Sequence, residues 1–206
     1  MKHTPLVVEP ITLQGQFVRL EPLKMEHFDA LWAVGQDPDL WQWTPYHIST
    51  GDKMRTYMRA ALDGQELGIA LPFVTIEQAT DRVVGSTRFG NIDAPNHRVE
   101  IGWTWIGQSW QRTPINTEAK FLMLQHAFET WHCVRVEFKT DVLNTRSRMA
   151  ITRLGAKEEG VFRHHMITES GRLRDSIYFS IINEEWPEVK ARLQTLLAQP
   201  WQNTSE

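Results

Sequence analysis

The stretch WQRTPINTEAK, Trp110–Lys120, follows a Trp-rich segment that alternates like a strand, and it opens a long apolar run. Thr113 falls at an N-cap position and Pro114 at the first helical position, where the missing N–H has no helical partner to lose. The first turn is polar apart from Ile115. The amides of Thr113, Ile115, Asn116 and Thr117 can therefore point along the helix axis, at the positive end of its dipole, and Arg112 adds a full charge beside them. Such a start suits a phosphate or pyrophosphate. It equally suits a plain capped helix with a solvated first turn, so the surrounding sequence has to decide.

Working outward, Pro114 to Trp131 reads as the longest helix, with Phe121, Leu124, Phe128 and Trp131 along one side. Ala119, Leu122, Met123 and Ala127 lie beside them, and so wide an apolar face suits a helix packed on a sheet. Upstream, Gln16–Leu23 alternates as a strand and Met25–Gly35 has helical spacing. A Pro- and Trp-rich loop leads to a helix over Ser49–Gln65, capped by Thr50. Strands are expected over Ile69–Gln78, Arg82–Asn91 and Arg98–Ile106. Downstream come a strand (Val134–Asp141), a helix (Thr145–Leu154) stopped by Gly155, and a hairpin of Glu159–Thr168 with Leu173–Ile182. Asn183 caps a last helix bearing Trp186, Val189, Leu193, Leu196 and Leu197. The order β-α-α-β-β-β-α-β-α-β-β-α predicts an α/β (α+β) fold around a mostly antiparallel sheet. Residues 1–206 read as a single domain, with a core over about 16–183 and a C-terminal helix over about 184–198. The first ten and last six residues look loose.

Composition narrows the function classes. The 206 residues are 41% hydrophobic and 23% charged, with a net charge of −3, so no broad basic surface for nucleic acid is implied. No apolar run approaches the ~20 residues that span a bilayer, and the start lacks the apolar core of a signal peptide. The single Cys133 suggests neither a disulfide framework nor zinc, and no metal site is expected. The reading is a cytoplasmic protein with no membrane or nucleic-acid partner. The amphipathic C-terminal helix and spare Trp residues are compatible with a homodimer.

A second stretch, LNTRSRMAITRLGA (Leu143–Ala156), sets Asn144 and Ser147 three apart at another helix start after a strand. Capping alone explains Asn144. Together with NTEAK after the anion-binding loop, VEFKTD before Leu143, then EGVFR and GRLRDSIYFSI, the chain resembles the GNAT acyltransferase superfamily over about Gln16–Ile182. It is most similar to the RimJ/RimL-type branch, which acetylates ribosomal-protein N-termini. That resemblance implies acetyl-CoA as cosubstrate, held between two splayed parallel strands, here Val99–Ile106 and Val134–Asp141. Backbone groups near Thr104, Trp105 and Ile106 would hold the pantetheine arm, and an amide there would hold the oxyanion. The family's pyrophosphate loop reads Gln/Arg-x-x-Gly-x-Gly/Ala. Here Gln111, Arg112, Thr113, Pro114, Ile115 and Asn116 stand in its place, so both glycines have departed and Pro114 removes one donor. Asn144 matches the family's pantetheine-binding Asn.

The implied reaction is attack of an amine on the thioester. An α-amine has a pKa of about 8, so much of it is protonated at neutral pH and a base must take a proton. The family's Tyr acid is absent, because Ile151 stands at its position. Ser147 sits where the RimL-type branch has a Ser, and it is the candidate partner of the leaving thiolate. Glu100, then Glu137, on the two splayed strands are the candidate bases. A third branch carboxylate falls near Met166 and is not carried over; His164 and His165 lie beside it. The acceptor side would be formed by the loop DLWQWTPYH, with Trp41, Trp43 and Tyr46 as walls and His47 nearby, together with His165. Three readings follow: an N-acetyltransferase of a protein N-terminus, the same chemistry on a small amine, and a CoA-binding module without catalysis.

Overall fold

The strands form one sheet in the order β1-β2-β3-β4-β5-β6-β8-β7, with the central β3 and β4 buried on both faces. The strands are β1 (Leu13–Gln14), β2 (Val18–Pro22), β3 (Leu71–Glu77), β4 (Arg82–Asp93), β5 (Arg98–Ile106), β6 (Arg135–Asp141), β7 (Lys157–Ile167) and β8 (Leu173–Ile182). Neighbours are antiparallel except β5 and β6. The computed structural model describes residues 6–200. The last six residues, expected to be loose, lie outside that range, as do residues 1–5. Residues 6–10 depart from the expectation: Leu6 is buried and Val8 packs on the core.

Two helical layers cover the sheet. Helices α1 (Phe28–Gly35) and α2 (Gly51–Glu66) lie on one face, where Phe28, Leu31, Met54, Tyr57 and Met58 pack with Val74, Ile76 and Trp105. Thr50 caps α2 by accepting the Lys53 N–H. Helices α3 (Pro114–Gln125), α4 (Thr145–Leu154) and α5 (Trp186–Ala198) share the larger core on the other face, with Leu20, Phe73, Phe89, Val136 and Phe179. Gly155, at φ 106°, stops α4. The opening strand is shorter than expected, because a hairpin with β1 takes up residues 13–18.

The long helix differs from its expected form. Regular α geometry ends at Gln125, and His126–Thr130 form a π turn closed by Trp131 N–H donating to the His126 carbonyl at 3.0 Å. The wider turn breaks the seam expected from Phe121 to Trp131. Phe128 stacks on Trp186 of α5 at 5.4 Å, whereas Trp131 turns to the sheet, 4.7 Å from Phe89.

Glu118 ties this helix to the first long strand. The amides of Gln16, Phe17 and Val18 donate to its carboxylate at 2.8, 2.6 and 2.8 Å. A methyl group at Gly15 would lie 2.3 Å from the Glu118 Cδ, so only glycine lets the turn close over the carboxylate. Each buried N–H left without an acceptor costs about 1–3 kcal/mol. Of the three amides only that of Val18 is fully buried, so Glu118→Ala is expected to lower stability by about 1–3 kcal/mol in urea unfolding. A loss under about 1 kcal/mol would mean that water replaces the carboxylate at little cost.

Candidate active site

The one parallel contact among the described residues of the sheet is short. Arg98, Val99 and Glu100 of β5 face Arg135, Val136 and Glu137 of β6, and there the pairing ends. Beyond it, β5 stays with β4 and β6 stays with β8 as far as Asp141. The two strands therefore open into a cleft. Ser86 pairs with Trp105 and Arg88 with Gly102, so Trp103 and Thr104 stand opposite the single residue Thr87. This is a β-bulge, which leaves a residue unpaired and re-aims side chains. Trp103 takes φ 50° and packs towards α2, while Thr104 turns towards α3. Gly90 makes room for Trp103, since a methyl there would lie 2.2 Å from the indole.

The start of α3 forms one end of the cleft. Thr113 is its N-cap: its hydroxyl accepts the Ile115 N–H at 3.4 Å and donates to the Trp110 carbonyl at 2.7 Å. Gln111 Nε2 donates to the Ile106 carbonyl at 3.0 Å, pinning the loop to the end of β5. Arg112 is exposed, and Arg146 donates to Gln111 Oε1 at 3.5 Å, so two guanidinium groups flank the helix start. Asn116 is half-buried and its Oδ1 has no partner. Thr117 lies deeper. As the fourth helical residue it has a helical acceptor for its N–H, and its fully buried hydroxyl accepts from Arg153 at 2.8 Å. Residues Gln111 to Asn116 with Arg146 thus offer cations and free amides of the kind a pyrophosphate needs. Trp105 and Ile106 bury their side chains in the two opposite cores, so only their backbone is left for the cleft, and Gln111 already holds the Ile106 carbonyl.

Glu100 sits at the apex, where β5 and β6 part. It is 3% exposed. Asn91 Nδ2 donates to its Oε2 at 2.7 Å and Lys139 Nζ lies 3.2 Å from the same oxygen. Glu137 is differently placed. Arg98 and Arg135 hold its Oε1 at 3.2 and 2.8 Å, in an ion-pair ladder that continues to Glu159. Asn144 caps α4, its Oδ1 accepting the Ser147 N–H at 3.0 Å, and Ser147 is half-buried in the first turn. Ile151 is buried in the same helix.

On the α1/α2 side, a cavity of about 340 Å³ is lined by Tyr46, His47, Ile48, Lys53, Tyr57, Arg88 and Trp103, among others. Tyr46 and His47 stand in its wall, but Trp41 is 2% exposed and donates its indole N–H to the Gly35 carbonyl, so it belongs to the core. Trp43 lies off the cavity, its ring 5.8 Å from the Arg172 guanidinium. His165, on β7, sits 5.7 Å from Tyr178 and 5.5 Å from Phe162, with Nδ1 buried and unpartnered. Burial, then Lys139 and Arg174, hold its pKa below the usual histidine value. His164 is exposed and spends its backbone N–H on Asp175.

Two basic residues that sequence reasoning passed over line this centre. One is Arg88, buried on β4. The other is Lys120, fully enclosed under the bulge, whose Nζ donates to Thr104 Oγ1 at 2.5 Å and Thr87 Oγ1 at 2.9 Å. Burial lowers its pKa to about 7. A signal was present for Lys120: it stands three, four and seven residues before Met123, Leu124 and Ala127, in phase with the buried stripe. A lysine on an apolar stripe is rarely there for solubility.

Residues 18–157 match the sequence pattern of the acetyltransferase (GNAT) domain. The chain belongs to the GNAT acetyltransferase family. It is thus an acetyl-CoA-dependent acyltransferase. A Bacillus licheniformis protein named uncharacterized N-acetyltransferase p20 is 28% identical over 180 residues, 85% of this chain and 98% of its own. YdaF of Bacillus subtilis (strain 168), provisionally assigned as a ribosomal N-acetyltransferase, is 32% identical over 102 residues, 50% of this chain and 55% of its own. A GCN5-related N-acetyltransferase from Brucella melitensis superposes with a TM-score of 0.88 at 32% identity, covering 96% of this chain and 90% of the other. Among the described residues, no helix is long and apolar enough to cross a membrane.

The Lys120 environment predicts a pH signature. An unfolded lysine keeps its proton to about pH 10.4, whereas folded Lys120 releases it near pH 7. Between these values the unfolded chain binds one more proton, so stability rises with pH by up to about 1.4 kcal/mol per unit, and below pH 7 the full burial penalty applies. Lys120→Met is expected to remove that rise. Parallel stability curves for the two proteins from pH 7 to 10 would show that Lys120 stays charged in the fold.

Proposed function

We propose that this GNAT enzyme transfers the acetyl group of acetyl-CoA to the α-amine at a polypeptide N-terminus. The observation that carries the reading is the apex geometry. A buried carboxylate, Glu100, stands at the parting of β5 and β6, three residues before Trp103, which lines a cavity on the α1/α2 side. About 340 Å³ suits a terminal residue or two entering from an open rim, with the rest of the chain outside. The provisional ribosomal assignment of YdaF, and the likeness of NTEAK and LNTRSRMAITRLGA to the RimJ/RimL-type branch, point the same way.

In this reading the pyrophosphate rests on Arg112, Arg146 and the amides of Thr113 and Asn116, since Pro114 has none and the Ile115 N–H is held by the Thr113 hydroxyl. The pantetheine arm follows the open edge of β5 at Thr104–Ile106 and meets Asn144, whose Nδ2 is not used by its cap. The amine lone pair attacks the thioester carbonyl carbon. The negative charge that develops on the carbonyl oxygen is met by a backbone amide freed at the Trp103–Thr104 bulge. Collapse breaks the carbon–sulfur bond and releases the thiolate. Glu100, directly or through one water, takes the proton that the amine loses. Asn91 and Lys139 both meet Glu100 at Oε2, which leaves Oε1 for this work. Ser147 donates a hydrogen bond to the departing sulfur. Glu100 then gives its proton up to solvent and the thiolate takes one from solvent, so the net change is amine plus acetyl thioester to amide plus thiol. Glu137 is the weaker base candidate, because two arginines already occupy its charge.

Thiol release from acetyl-CoA, measured on peptides and on small amines, tests the acceptor class. Turnover is expected on peptides with free N-termini and lost when the terminus is blocked. Turnover confined to small amines would overturn the acceptor assignment, and CoA binding without turnover on either would leave a binding module. Glu100→Gln is expected to lower kcat/KM by roughly 10²–10⁴. Glu137→Gln should cost far less; the reverse order would move the base to β6. Ser147→Ala with an unchanged kcat would remove the proposed thiolate donor.

A further inference from the structure

Arg88 raises a question the reaction does not answer. It is 7% exposed and lines the acceptor cavity from β4, beside Trp103 and Tyr57. Its guanidinium carbon lies 4.9 Å from the Trp103 ring centroid and 5.1 Å from that of Tyr57. Aromatic faces meet a guanidinium through its charge, but its five N–H donors lie in its own plane and need acceptors there. The buried Nε has none. No carboxylate forms an ion pair with Arg88 among the described residues. The acidic groups nearby are already matched: Glu169 with Lys53, Asp141 with Arg172 and Arg174, and Glu100 with Lys139.

A charge taken out of water without a counter-ion is among the most costly features a fold can hold, and two ring contacts offset only part of that cost. Such a group is kept where a ligand supplies the missing charge. The site is built to do so. The rings of Trp103 and Tyr57 hold the fork in place, the Tyr57 hydroxyl is turned away onto the Trp103 carbonyl at 3.3 Å, and Gly90 leaves space for the Trp103 ring. Trp103 is also the bulge residue, so Arg88 stands directly beside the splay at which the amine must react.

We infer that Arg88 is a specificity residue: it binds a carboxylate carried by the acceptor close to its reacting amine. The inference rests on the N-acetyltransferase reading of the cavity and deepens it. The carboxylate has two sources, an acidic first or second residue of a polypeptide, or the free carboxyl of an amino acid. A planar fork distinguishes a carboxylate from its amide isostere, because the amide presents one oxygen and an NH₂ group to donors that need two acceptors.

The test is a panel of otherwise identical peptides beginning Asp, Asn, Glu, Gln, Ala or Lys, with free aspartate and glutamate alongside. Wild-type enzyme is expected to prefer the acid over its amide by about 10–100-fold in kcat/KM. Arg88→Met should abolish the preference by losing the acidic substrates selectively, and Arg88→Lys should restore part of it. Equal rates on acid and amide, or an equal loss on every substrate in Arg88→Met, would overturn the inference and leave the N-terminal reading standing. Arg88-dependent turnover of the free amino acids with none on any peptide would overturn the N-terminal reading and keep Arg88. A binding measurement needs no turnover: glutarate, added to protein saturated with CoA, is expected to change Trp fluorescence in wild type and not in Arg88→Met, whose circular dichroism reports its folding. No response to glutarate up to tens of millimolar would also overturn it.

Discussion

Three residue pairs of parallel sheet govern this molecule. Arg98–Glu100 and Arg135–Glu137 hold β5 and β6 together for about one turn of the pleat, and then each strand follows its other neighbour. A longer parallel ladder would close the sheet and leave no cleft. A shorter one would split it into two. The bulge at Trp103 and Thr104 enforces the divergence, because an extra residue on β5 raises local twist and turns the strand away from β6. Along β5 and its continuation the polar groups follow that parting: Glu100 before it, Trp103 and Thr104 at it, and the capped start of α3 after it.

The same constraint explains why the interior is unusually polar here. A sheet that parts exposes backbone and needs hydrogen-bonding groups on both faces of the gap. On the α3 face, Thr87, Thr104 and Lys120 form a closed set of short hydrogen bonds. On the α1/α2 face, Asn91 and Lys139 converge on Glu100. The Lys120 amine is best read as the neutral partner that keeps the underside of the bulge satisfied when no cosubstrate polar group reaches it. A charged lysine there would place a buried cation directly beneath the reacting centre, and the lowered pKa shows which state burial favours.

The fold was legible because periodicity is a property of short windows. The strands Arg98–Ile106 and Leu173–Ile182 and the helix at Thr145–Leu154 stand where the patterns put them. What escaped were features set by distant partners. Nothing within Gln16–Val18 announces that its amides point at a carboxylate a hundred residues away, so the strand was extended too far towards its N-terminus. The π turn at His126 is likewise a tertiary event: one added residue lets Phe128 serve α5 while Trp131 serves the sheet, and a straight 3.6-residue period puts both on one side. In the candidate site, Glu100 was visible as a carboxylate on a splayed strand, and Arg88 was not. An arginine on a strand usually reaches water, and only the packing of Tyr57 and Trp103 reveals that this one does not. Trp41, conversely, looked like a cavity wall because aromatics in loops often are, but its indole N–H had a backbone partner inside.

The stretch Trp110–Lys120 now has a physical account of its missing glycines. A glycine-rich loop reaches left-handed backbone at no steric cost and lets a phosphate approach closely. Here Arg112 takes φ 61° with a full side chain, which a non-glycine residue does only when its neighbours hold it there. Those neighbours are identifiable. Gln111 is tied to the Ile106 carbonyl, the Thr113 hydroxyl to the Trp110 carbonyl, and Pro114 fixes the first helical φ. The loop has exchanged flexible glycines for a braced turn. In the proposed pyrophosphate seat, bracing would lower the entropy lost when an anion docks, and Arg112 and Arg146 would supply charge in place of the amide that Pro114 removes. A seat of this kind is stiffer and more electrostatic than a glycine-rich one, so its hold on a pyrophosphate should weaken with added salt more steeply than hydrogen bonds from backbone amides alone would allow.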